Sequence, residues 1–184
     1  MRGGQKIMEY LKVIKHTNGD DKCLQNVVNY PIGKDQVLKE GFGINPNDPK
    51  EAMKQFQSVA NFWDNQDKTP VFHYMTAFTG EAAPTAEKAM ELTKEIFKDI
   101  TDSHLAAMGT HFKDRDWNWY HNHTAVSPTN INDGSLLYAD NSTNFALAQR
   151  MADVTGQPTK LIIRKEDGTE VEIDKVFVPN DYED

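Results

Sequence analysis

THFKDRDWNWYHNHTAVSPTN, residues 110–130, decides how the rest of the chain is read. His121 and His123 stand two positions apart in a run, Trp119 to Val126, whose composition predicts a β-strand. Successive strand side chains point to opposite faces, so these two imidazoles share a face roughly 6 to 7 Å apart and can lean onto one ion. Upstream, LAAMGTHF (Leu105 to Phe112) predicts a second strand with His111 near its end. An antiparallel hairpin across the intervening residues brings His111 beside the other two. Paired strand histidines also occur without any metal, but three of them between positions 111 and 123 make ion binding an equal reading. Neutral imidazoles on three corners of an ion leave open positions for substrate, as a catalytic site requires, and the ligand type alone suits zinc.

The 184 residues suffice for a real hydrophobic core, and 1–184 reads as a single domain. Apolar residues make up 38% and mean hydropathy is −0.68, values of a globular chain in water. No apolar run reaches the roughly 20 residues of a membrane span, and the first residues lack a secretory apolar core, so a cytoplasmic location is expected. One cysteine, Cys23, agrees with a reducing compartment. The net charge of −8 is unevenly spread: Lys165 to Asp184 holds 2 basic and 8 acidic residues, leaving the body near neutral. The acidic segment, 159–184, therefore weighs less against nucleic-acid binding than the total charge suggests.

In chain order, Glu9 to Lys15 alternates as a half-buried strand. After the turn signal Asn18-Gly19-Asp20, KCLQNVVNY predicts a short helix that Pro31 stops, leaving Tyr30 at its end. A glycine- and proline-rich loop follows to Asp48. There a helix starts, with Asp48 as cap, Pro49 in the first turn and Glu51 behind it. Pro70 to Phe78 predicts a strand, Thr85 to Ile100 a long helix, Ser135 to Tyr138 a short strand after Asn132-Asp133-Gly134, and Ser142 to Thr155 a helix ending at Gly156. Two strands, Lys160 to Lys165 and Thr169 to Asp174, pair across Glu166-Asp167-Gly168. The class is α+β: a largely antiparallel central sheet with helices packed mostly on one face.

Three segments in this order resemble a conjugative relaxase of the mobilisation-nuclease type, the P-type group of HUH endonucleases: LKVIKH with LQNVVNY, HYMTAFTGEAAPTAEKAMEL, and the His111 to Asn130 block with DGSLLY behind it. The likeness covers about residues 8–156. It departs from the family where Ala77 replaces a serine, where Asn122 stands between the paired histidines, and where Pro31 follows Tyr30. The resemblance implies a two-layer HUH fold and site-specific nicking and joining of one DNA strand at a plasmid or conjugative-element transfer origin. It also implies Mg²⁺ or Mn²⁺ as working ion, against the zinc preference drawn from the ligands alone. Single-stranded DNA is then the substrate, accessory relaxosome proteins and a coupling protein are the expected partners, and the chain reads as the N-terminal part of a longer protein.

On that reading Tyr30 is the nucleophile, with Tyr10 as its rival, and the product is a 5′-phosphotyrosyl DNA intermediate. A phenol with a pKa near ~10 attacks poorly at neutral pH, so an ion on His111, His121 and His123 is needed to polarise the phosphate. Glu81, Asp114 and Asp116 are candidates for general base or for orienting a ligand histidine. Trp117, Trp119 and Tyr120 have the chemistry to stack bases and equally the size to fill a core. His73, mid-strand among apolar residues, reads as structural; His16 and His104 carry no reading. Two other classes fit part of the pattern: a metal-dependent phosphoester hydrolase that does not need Tyr30, and a DNA-binding or plasmid-partner module without catalysis.

Overall fold

The hairpin expected around the histidines forms the heart of a seven-stranded sheet in the computed structural model, which describes residues 8–16, 21–33, 38–111 and 120–180. The Asn18-Gly19-Asp20 turn, the loop residues Asp114, Asp116, Trp117 and Trp119, and the last four residues lie outside the described residues. The elements are β1 (Glu9–Ile14), α1 (Asp21–Ile32), β2 (Leu38–Phe42), α2 (Pro49–Phe62), β3 (Phe72–Ala77), α3 (Ala86–Ile96), α4 (Lys98–Thr101), β4 (Ala106–His111), β5 (His121–Val126), α5 (Asn141–Thr155), β6 (Thr159–Arg164) and β7 (Glu170–Phe177). Strand order is β2-β4-β5-β3-β1-β6-β7. Every pairing is antiparallel except β1 with β6.

The local signals act as their chemistry demands. Asp48 accepts a hydrogen bond from the Glu51 amide at 3.1 Å, with Pro49 in the first turn of α2, and Thr85 and Asp140 cap α3 and α5 in the same way. Gly156 closes α5 with φ at 68°, a left-handed geometry that glycine adopts without cost.

Strand periodicity then sorts the side chains into two cores. Ala106, Met108 and Val126 face α3 and α5 in one cluster with Leu11, Tyr74, Phe97 and Met151. Their neighbours Leu105, Ala107 and Ala125 face the other way, onto α1 and α2, with Leu24, Val27, Val28, Ile32 and Phe56. The α+β class and the mostly antiparallel sheet stand, but helices cover both faces rather than mostly one, so the layers number three. Leu24, Val27, Val28 and Ile32 are all buried, each contributing roughly 1.5–3 kcal/mol. That packing, more than propensity, holds α1 in place.

Four local expectations are revised. The loop after Tyr30 contains an edge strand, β2, half-buried along its whole length and paired with β4. The helix Thr85 to Ile100 breaks at Phe97, whose fully buried ring packs on Tyr74 with centroids 5.3 Å apart. Ser135 to Tyr138 makes only an isolated bridge, Thr129 to Leu136, in place of a strand. And α1 continues through Pro31 to Ile32, because a proline in the last turn forfeits only one backbone bond; the Gly33 amide still reaches the Asn29 carbonyl at 2.8 Å.

Candidate active site

Register fixes the histidines before any side chain is considered. His111 pairs directly with His121, Gly109 with His123, and on the other side of β5 Met75 pairs with His123 and Ala77 with His121. All of these point to the face that carries α1 and α2. His111, His121 and His123 each offer a nitrogen within 4.8 Å of the other two. Nitrogens bound about 2 Å from one ion stand roughly 3–3.5 Å apart, so to hold one the three side chains would draw closer together. Three imidazole nitrogens this close together, with two of the rings only half-buried, fit a divalent ion with positions left for substrate.

Tyr30 projects from the last turn of α1 onto this cluster. Its ring centroid lies 4.5 Å from that of His123, 5.3 Å from His73 and 6.1 Å from His111, and the residue is 51% exposed. The phenol ring is thus beside the three histidines and half open to solvent. Its position depends on an absent side chain: a Cβ built on Gly109 would stand 1.6 Å from the Pro31 carbonyl oxygen. Glycine there lets the end of α1 lie against the backbone of β4.

Asn122, between the paired histidines, points to the opposite face and is fully buried. Its amide donates to the Thr110 hydroxyl at 2.9 Å and its carbonyl accepts from the Thr124 hydroxyl at 3.1 Å. This explains how a polar residue occupies a core position there. Ala77 lies on the histidine face opposite His121, so the family's missing serine hydroxyl would have belonged to the site.

Two histidines that the sequence left aside belong to the cluster. His73 Nε2 is 2.7 Å from His123 Nδ1, and His16 Nε2 is 2.9 Å from His73 Nδ1. His16 and His73 stack with centroids 5.2 Å apart. Five of the six histidines therefore form one connected group; His104 stands apart, its Nδ1 bonded to the Ser127 carbonyl at 2.8 Å. Burial holds His123 and His73 neutral, His73 being pushed down to about 3, and the neighbouring imidazoles and Arg164 add to the effect. Neutral rings are the form that binds metal. The only sequence signal for His73 is its odd-numbered phase with Met75 and Ala77; the pairing of β3 with β5 had to be known for that phase to mean anything.

Of the carboxylates, Glu81 is exposed in the turn after β3, where its charge acts on the neighbouring Glu9. Glu9 itself is fully buried. It accepts from the Thr79 amide at 3.0 Å and the Thr79 hydroxyl at 2.7 Å, tying that turn to β1, and burial raises its pKa. Tyr120 packs against the core on the α3 and α5 side, which favours its structural role. Tyr10, the rival nucleophile, is half-buried on β1 opposite Ala77. Beside the histidines, Lys12 and Arg164 both bond Glu170, at 2.7 and 2.8 Å.

Residues 27–156 match the family model of the relaxase nuclease domain, MobA/VirD2-like. The chain belongs to that family. No curated protein and no solved structure gives a significant match. Relaxase nuclease domains are in general metal-dependent and nick DNA at origins of transfer, binding it as a single strand, and membership makes this chain a DNA nuclease. The relaxase match runs from the second half of α1, where Tyr30 sits, to the end of α5; β1, β6 and β7 complete the sheet outside it. Among the described residues no helix is long and apolar enough to cross a membrane.

Proposed function

We propose that this relaxase domain nicks and rejoins one strand at a plasmid or conjugative-element transfer origin, with Tyr30 as nucleophile and His111, His121 and His123 as ligands of a divalent ion. The observation that carries this reading is the Tyr30 ring set 4.5 Å from that of His123 while half exposed to solvent. Attack by the Tyr30 hydroxyl forms the bond from its oxygen to phosphorus and breaks the bond from phosphorus to the 3′ oxygen. The DNA 5′ phosphate stays on the tyrosine and the 3′ end leaves as a hydroxyl; the reverse attack rejoins the strand. When bound, the ion stabilises the negative charge that develops on the phosphate. Mg²⁺ or Mn²⁺ is the working ion, and the all-imidazole ligand set also admits zinc.

Tyr30 must lose its proton, and Glu81 and Asp114 are the carboxylates assigned to accept it or to orient a ligand. Lys12 and Arg164 supply positive charge beside the histidines for the DNA backbone, moderated by Glu170. The pairing of β6 with β1 supports residues 1–184 acting as one nuclease domain. The setting is the cytoplasm, in company with accessory relaxosome proteins and a coupling protein.

The test is incubation of the protein and Tyr30→Phe with single-stranded transfer-origin oligonucleotides, with Mn²⁺ or EDTA, read by denaturing gel and mass spectrometry. A metal-dependent covalent adduct on Tyr30, absent in the variant, is expected. Cleavage that survives the variant moves the nucleophile to Tyr10 or to water, and no cleavage of a cognate site removes the catalytic reading.

A further inference from the structure

His123 has two ring nitrogens, and one is already engaged: Nδ1 lies 2.7 Å from His73 Nε2, while His73 Nδ1 lies 2.9 Å from His16 Nε2. A neutral imidazole carries one N–H donor and one acceptor, so the three rings can be satisfied in only two ways. In the first, His16 donates to His73 and His73 donates to His123. The His123 proton is then on Nε2, and no lone pair remains there for an ion. In the second, His123 donates from Nδ1 to His73, and His73 donates from Nδ1 to His16. His123 Nε2 then keeps its lone pair and faces the ligand set.

We propose that His73, backed by His16, is the positioning residue that holds His123 in its Nδ1–H tautomer, and so completes the ion site without touching the ion. The proposal rests on the reading of His111, His121 and His123 as ligands. The usual outer partner of a ligand histidine is a carboxylate or a carbonyl, which only accepts. Here the partner is itself an imidazole, able to donate or accept, so an ion at His123 selects a single direction of hydrogen bonding through all three rings. His73 is 3% and His123 6% exposed, which shields their bond from competing water. The Tyr30 ring lies over both, 4.5 Å from His123 and 5.3 Å from His73 between centroids, so the same bond sets the surface on which that ring rests.

Two measurements test this. Long-range ¹H–¹⁵N spectra of the Zn²⁺-loaded, histidine-labelled protein, zinc serving as a diamagnetic probe, should show His123, His73 and His16 all as Nδ1–H tautomers. A proton on His123 Nε2 overturns the proposal with no mutation needed. Zn²⁺ affinity should fall about 10- to 100-fold in His73→Leu and recover most of that in His73→Gln, whose carbonyl accepts from His123. Loss of affinity in His111→Ala with none in His73→Leu overturns the positioning role alone. Wild-type affinity in His111→Ala, or no binding by the wild type, overturns the ligand reading and this proposal together. If His73→Leu does not fold, the wild-type tautomers and His73→Gln carry the decision: failure of the glutamine variant to bind Zn²⁺ better than about 100-fold below wild type counts against it.

Discussion

Gly109→Ala tests whether the end of α1 needs bare backbone beneath it. The new Cβ would meet the Pro31 carbonyl oxygen at 1.6 Å, its carbonyl carbon at 2.5 Å and its Cα at 2.9 Å, all backbone atoms that no rotamer change can remove. Relief requires the end of α1 to lift by roughly 1.5 Å or more, at about 1–3 kcal/mol for overpacking. Alanine in a strand recovers only about 0.5–1 kcal/mol relative to glycine, so the clash wins and stability falls. Tyr30 precedes Pro31 and must move with it. A displacement of about 1 Å at a reacting group costs on the order of 10²-fold in rate, while the histidines, on β4 and β5, keep their spacing. The expected result is a lower melting temperature, nicking slowed by about 10²-fold or more in single turnover, and Zn²⁺ affinity close to wild type. Wild-type nicking with unchanged stability would refute the claim that Gly109 seats the helix carrying Tyr30.

Acid should destabilise the metal-free protein earlier than carboxylate protonation does. His73 and His123 are held below their ordinary value of 6.5 by burial, so the unfolded chain takes up protons that the folded one refuses. Stability is then full above about pH 6.5 and falls below it by up to about 1.4 kcal/mol per pH unit for each ring; urea midpoints that stay flat from pH 7 to 5 would contradict this. In the core, Asn122→Leu strands the hydroxyls of Thr110 and Thr124, at a cost of about 1–3 kcal/mol by chemical denaturation. Changing both threonines to valine in the same protein should recover most of that loss, and no recovery would show that size rather than polarity decides the position.

Much of this architecture was legible because its signals are local. The Asp48 cap, the Gly156 terminus, the hairpin at Gly168 and the paired histidines of β5 each depend on a few neighbouring residues and on backbone geometry. What escaped depends on partners distant in the chain. β2 shows no alternation, since it is half-buried throughout and is a strand only because β4 accepts it. The second helical layer exists because β4 and β5 are buried on both faces, a pattern that the polar residues of β5 hide in the sequence. His73 read as a structural residue among apolar neighbours, and only the register between β3 and β5 connects it to His123. Asp114 lies outside the described residues, and Glu81 stands in the exposed turn after β3.

The parallel joint between β1 and β6 bears on how the molecule comes to exist. Glu9 meets Thr159 across about 150 positions of chain, while the other neighbour of β1, β3, follows within the first half. Contacts that far apart slow folding, because the loop entropy is spent before the contact rewards it. During synthesis, β1 leaves the ribosome well before β6, and its second edge stays open until β6 follows, roughly 7–30 seconds later at about 5–20 residues per second. In that interval the open edge is available to other strands. A nascent chain halted after α5 would contain His16, His73, His111, His121, His123 and the helix that carries Tyr30, and still present β1 as an unfinished edge.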